Sequence, residues 1–86
     1  MAISVLIADA KTESRRETVA LLQRDRTFDV IGDASDGREA IEIARSLRPA
    51  IVLLDASIIG LDAISVIENL QVASPESGVI VLIEGK

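Results

Sequence analysis

Three short apolar runs in this chain each lead into an aspartate, and the three aspartates recur at nearly equal intervals. Ile3 to Ala8 runs into Asp9, Phe28 to Gly32 into Asp33, and Ile51 to Leu54 into Asp55, at spacings of 24 and 22 residues. Each run is too short for a helix and is followed by a stretch of helical periodicity, so the pattern reads as stacked βα units of one size. Buried strands joined by crossover helices form a parallel sheet, and an open α/β sheet gathers its ligands at the carboxyl ends of its strands. That rule puts Asp9 and Asp55 where such a fold keeps its chemistry. Two acids at one switch point suggest a cation or phosphoryl site.

The periodicity predicts strands at Ile3–Ala8, Phe28–Asp33, Ile51–Leu54 and Val79–Ile83, and helices at Thr12–Arg24, Gly37–Leu47 and Leu61–Val72. Ala40, Ile43, Ala44 and Leu47 fall at i, i+3, i+4 and i+7, as do Ala63, Val66, Ile67 and Leu70, which gives each of these helices one apolar face for the sheet. Asp36 followed by Glu39 resembles a capping box, and Pro49 marks where the second helix must stop. Right-handed crossovers in a strand order 2-1-3-4 leave Asp33 on the outer strand, as a turn or helix-capping residue, while Asp9 and Asp55 end neighbouring central strands.

Composition removes whole classes of function. The 86 residues contain no Cys and no His, which excludes disulfides, structural zinc sites, thiol nucleophiles and imidazole bases; the remaining chemistry must use carboxylates or hydroxyls. A net charge of −5 argues against a nucleic-acid surface, and with one Phe and no Tyr or Trp no base-stacking platform exists. No glycine-rich phosphate loop follows the first strand and no Gly-x-x-x-x-Gly-Lys-Ser/Thr string occurs, which argues against a nucleotide-binding enzyme. No signal-like or membrane-spanning apolar segment is present, and the expectation is a cytoplasmic protein with no membrane contact. A chain this short buries only about 60–65% of its unfolded surface, so stability should be marginal.

The stretch from Phe28-Asp29-Val30-Ile31-Gly32-Asp33-Ala34-Ser35-Asp36-Gly37-Arg38-Glu39-Ala40 through Leu47-Arg48-Pro49 to Ile51-Val52-Leu53-Leu54-Asp55 resembles the receiver domain of bacterial two-component response regulators. Val5-Leu6-Ile7-Ala8-Asp9, Gly60 and Asp62, and Val79-Ile80-Val81-Leu82 extend the likeness over essentially the whole chain. The resemblance implies a CheY-like, flavodoxin-like fold and a cycle in which a partner histidine kinase donates a phosphoryl group to an aspartate. Asp55 matches that phosphoacceptor. Asp9 matches the first of the family's two metal-site acids, so the resemblance implies Mg²⁺ held by Asp9, Asp55 and the backbone carbonyl of Ser57.

Departures from the family pattern weigh on that reading. Ala10 stands where most members have a second acid, so Mg²⁺ affinity should be weakened or lost. Ile83 replaces the hydroxyl residue expected at the end of the fourth strand, and Ile58 and Ile59 stand where Met and Pro are usual, making the loop after Asp55 more apolar. The sequence stops at Lys86, before the family's final helix-strand-helix and its site lysine; residues 1–86 are therefore expected to be an incomplete receiver domain, with Lys86 a solvated terminal residue. The fourth strand becomes an exposed apolar edge, an invitation to self-association. The first helix fits least well, with apolar residues only from Val19 to Leu22; its Lys11, Arg15 and Arg16 read as a solvated, salt-bridged face, or as cations near the two acids. Two readings follow: a non-enzymatic phosphorelay receiver with Asp55 as acceptor, or a phosphorylation-independent pseudo-receiver serving protein interaction or dimerisation.

Overall fold

A computed structural model describes residues 2–59 and 63–83. Its elements run β1 (Ile3–Ala8), α1 (Thr12–Gln23), β2 (Phe28–Ala34), α2 (Gly37–Leu47), β3 (Ile51–Asp55), α3 (Ala56–Ile59), α4 (Ala63–Ala73) and β4 (Gly78–Leu82). The four strands form one parallel sheet in the order β2-β1-β3-β4, as the crossover argument expected. Boundaries move by a residue or so, and one element is new: the loop after Asp55 winds into the four-residue helix α3, too short to leave a periodic signal. Gly60, Leu61, Asp62 and Lys86, which entered the sequence reading, lie outside the described residues.

Alternation along the central strands sorts the side chains onto two faces. Leu6, Ala8, Val52 and Leu54 join Ala34, Ala40, Ala44 and Leu70 in a core between the sheet, α2 and α4. Leu6, Leu54 and Leu70 are fully enclosed there, each worth about 1.5–3 kcal/mol of burial. Helices α2 and α4 approach closely because Gly37 lacks a side chain: a Cβ at that position would lie 3.1 Å from a Val66 methyl carbon. Helix α2 begins as its sequence predicts, the Asp36 carboxylate accepting from the Glu39 N–H at 2.8 Å. The reciprocal bond shifts by one residue: the Glu39 carboxylate accepts from the N–H of Ser35 at 2.7 Å. At the other end Arg48 adopts a left-handed conformation (φ 47°, ψ 62°) that closes the helix before the buried Pro49.

The opposite face carries Val5, Phe28, Ile51, Leu53 and Ile80, which with Leu22 of α1 line an apolar groove. Helix α1 packs over β1 and β2 on this side. None of its residues is fully buried and Leu21 is largely exposed, because its aliphatic residues sit only in its second half. β4 is the edge of the sheet, with Ile80, Leu82 and Ile83 exposed, matching the expected apolar edge. In β2 the pairing to β1 slips: Val5 faces Val30, but Leu6 faces Gly32, leaving Ile31 as a bulge.

Candidate functional site

The register of the central strands brings the two predicted acids together. Ala8 pairs with Leu54, so Asp9 and Asp55 each follow the same rung of the ladder, one on β1 and one on β3. Ser57 connects them. Its N–H donates to Asp55 Oδ1 at 2.8 Å and its hydroxyl donates to Asp9 Oδ1 at 3.4 Å. The sequence reading assigned Ser57 only a backbone carbonyl role; what links it to both acids is its amide and its side chain.

The two carboxylates differ in environment. Asp9 is 2% exposed, and besides Ser57 it accepts from the Lys11 N–H at 2.9 Å on Oδ1 and from the Ser14 hydroxyl at 2.5 Å on Oδ2. Three of the roughly four lone-pair positions of this carboxylate are thus taken by donors of its own chain. Asp55 is half-buried, and no hydrogen bond to its second oxygen comes from the described residues. The Ser57 N–H lowers the Asp55 carboxyl below its ordinary range, against the upward push of partial burial, and the Ser57 hydroxyl and the Lys11 charge add to the lowering. Asp55 is therefore ionised at neutral pH, with the Lys11 charge nearby.

Two expectations about the first helix and the outer strand need correction. Arg15 does not belong to a solvated face: its side chain is 16% exposed and reaches Asp33 at 3.3 Å, while its guanidinium donates to the Asp9 carbonyl at 2.8 Å. Asp33 is accordingly neither turn nor cap; it lies within β2 and anchors that arginine. Both corrections have one cause, the seating of the α1 N-terminus across the ends of β1 and β2, which brings together residues 18 positions apart. Ser14 was missed altogether. The one local signal for it is a hydroxyl in the first turn of a helix that starts just after a strand-end acid.

The family model for the response regulator receiver domain matches residues 5–84. The chain belongs to this family. Receiver likeness is also seen in a protein-glutamate methylesterase/protein-glutamine glutaminase of Pseudoalteromonas translucida, 37% identical over 75 residues, which are 87% of this chain and 19% of that protein. The curated relatives of this kind are matched over only about a fifth of their length. The response regulator domain of Thermotoga maritima CheB superposes with a TM-score of 0.85 at 25% identity, covering 96% of this chain and 61% of that one. A CheX–CheY complex with beryllium fluoride and Mg²⁺ from Borrelia burgdorferi gives 0.80 at 25% identity, covering 98% and 64%. The flavodoxin-like receiver fold is thereby established, and no helix among the described residues is long and apolar enough to cross a membrane.

Receivers typically hold Mg²⁺ at this end of the sheet, which requires oxygen ligands free to face the ion. Here the Asp9 carboxylate is occupied by Lys11, Ser14 and Ser57, the next residue, Ala10, offers a methyl group, and no group of three or more His, Cys, Asp or Glu able to hold a metal occurs among the described residues. The donor set does not fit a two-acid Mg²⁺ site. What remains is an ionised, half-buried Asp55, steadied by Ser57 and Lys11.

Proposed function

We propose that this chain is a phosphorelay receiver module in which Asp55 accepts a phosphoryl group from the phosphohistidine of a partner kinase. The observation that carries this reading is the presentation of Asp55: one oxygen fixed by the Ser57 N–H, the other without a hydrogen bond from the described residues, at the end of a strand adjoining β1. In the step, that second oxygen attacks phosphorus, the phosphorus–nitrogen bond breaks with its electron pair going to the imidazole, and an acyl phosphate forms. Water later cleaves it to aspartate and inorganic phosphate. The chain provides an ionised nucleophile and a nearby ammonium group to offset charge on the phosphoryl oxygens. It acts as a switch component without turnover of an external substrate, in the cytoplasm, with a histidine kinase or other signalling protein as partner. No direct nucleic-acid contact enters this reading, and residues 1–86 are treated as one receiver domain.

A second reading, a pseudo-receiver that works by contact alone, is favoured by a specific observation: Asp9 is closed by its own hydroxyl donors and Ala10 cannot replace it as a ligand. Pairing of two copies along the exposed β4 edge belongs to this reading, and sedimentation as a monomer at about tens of micromolar would contradict such pairing. Incubation with acetyl phosphate, with and without Mg²⁺, followed by intact mass measurement, separates the two. A gain of one phosphoryl mass that vanishes in Asp55→Asn supports phosphorelay; no gain under any condition supports contact alone.

A further inference from the structure

We infer that Ser14 keeps Asp9 closed to divalent cations, so that this acid fastens helix α1 to the sheet instead of ligating metal. The inference is independent of whether Asp55 is phosphorylated. Three observations meet on it. The Ser14 hydroxyl donates to Asp9 Oδ2, the oxygen that neither the Lys11 N–H nor the Ser57 hydroxyl reaches. Asp9 is itself 2% exposed, so a cation approaching its one remaining lone-pair position has little solvent-facing surface through which to do so. Helix α1, for its part, has no fully buried residue, and its N-cap residue Lys11 makes no side-chain capping bond.

A helix with little apolar anchorage needs another attachment, and Asp9 supplies it through three links. Its carboxylate receives the Lys11 N–H and the Ser14 hydroxyl, and its carbonyl receives the Arg15 guanidinium. Every one of these partners lies at the start of α1. A magnesium ion drawing on the same carboxylate would compete with that attachment, because a cation at Oδ2 must share that oxygen with the Ser14 hydroxyl hydrogen and repels it. The exclusion therefore rests chiefly on Ser14 and Lys11, which are not among the metal-site positions the resemblance implies, and Ala10 is only part of it.

The test uses the full chain, with thermal unfolding followed by far-UV circular dichroism and Mn²⁺ binding followed by its electron paramagnetic resonance signal. Mg²⁺ is expected to leave the melting temperature of the unmodified protein where KCl of equal ionic strength leaves it. Ser14→Ala is expected to melt lower, to recover part of the loss when Mg²⁺ is added, and to bind Mn²⁺ at least about tenfold more tightly, the factor that one hydrogen bond to a charged group corresponds to. Ala10→Asp, at an exposed position, decides the matter even if Ser14→Ala fails to fold. Adding an acid while Asp9 stays closed should tighten Mn²⁺ binding by less than about threefold, well short of the tenfold step that opening Asp9 gives. Equal Mn²⁺ affinity in Ser14→Ala and the unmodified protein, a Mg²⁺-specific stabilisation of the unmodified protein, or a tenfold gain from Ala10→Asp alone would each overturn the inference.

Discussion

Replacing Asp9 by alanine should detach helix α1 before it damages the rest of the fold. The carboxylate accepts two well-formed hydrogen bonds, from Lys11 and Ser14, and a third from Ser57 at 3.4 Å that lies near the limit of such a bond. Bonds to a charged acceptor contribute about 1.5–3 kcal/mol each. Two considerations reduce their sum: Lys11 is exposed and Ser14 half-buried, so both donors regain water, and removing a buried charge relieves its desolvation. The net loss is about 2–4 kcal/mol, against the roughly 4–13 kcal/mol expected for the whole of an 86-residue fold. At about 4–8 °C per kcal/mol for a domain of this size, the melting temperature falls by about 10 °C or more. With no Trp or Tyr in the chain, far-UV circular dichroism in a urea series is the suitable measure, paired with hydrogen exchange read residue by residue. Amides of Ser14 to Leu22 should lose protection while those of Val52 to Leu54 keep most of theirs, because the core around Leu6, Leu54 and Leu70 does not involve α1. Asp9→Asn, which preserves shape and one acceptor, should lose about half as much. Unchanged stability in Asp9→Ala, or protection lost evenly through β3 and α2, would refute the idea that Asp9 is what ties α1 down.

Arg15→Met should lower stability by about 1–2 kcal/mol, since it removes a largely buried guanidinium from both the Asp33 carboxylate and the Asp9 carbonyl; an Asp33→Asn change made on top of it should add little in a double-mutant cycle. Gly37→Ala places a methyl 3.1 Å from Val66 and should cost about 1 kcal/mol despite alanine's better helix propensity, with Val66→Ala restoring part of the loss when the two are combined in denaturant unfolding. The lowered Asp55 carboxyl sets a direction with pH. Because its folded-state value lies below the unfolded one, its contribution is complete above the ordinary carboxylate range and is lost as pH falls through the folded value, below about pH 4. Asp55→Asn should therefore flatten the acid limb of the stability curve measured by urea midpoints, and an unaltered limb would contradict this.

The parts of the fold legible in the sequence are those whose causes are local. The aliphatic run at residues 5–8 of β1, the i, i+3, i+4, i+7 face of α2, its Asp36 cap and the stop before Pro49 are fixed by neighbours a few residues away, and each lies where its pattern put it. The meeting of Asp9 and Asp55 was also accessible, because the handedness of crossovers fixes strand order and strand order fixes which ends adjoin. The roles of Ser14, Arg15 and Asp33 were not. They depend on the angle at which α1 sits across the sheet, which follows from packing between β1, β2 and the helix and leaves no trace in spacing. Helix α3 escaped for a different reason, since four residues make barely one turn and show no periodicity.

The bulge at Ile31 has a consequence for how this gene can change length. Beyond it, Ile7 lies beside Asp33 and Ala8 beside Ala34. Excise Ile31 and straighten the ladder, and Leu6 still meets Gly32, Ile7 still meets Asp33 and Ala8 still meets Ala34, so Asp33 keeps its place beside Arg15 and Ala34 its place in the hydrocarbon layer around Leu54 and Ala40. A one-codon deletion there would thus be far milder than a deletion elsewhere in β2, because the residue it removes makes no rung of its own with β1.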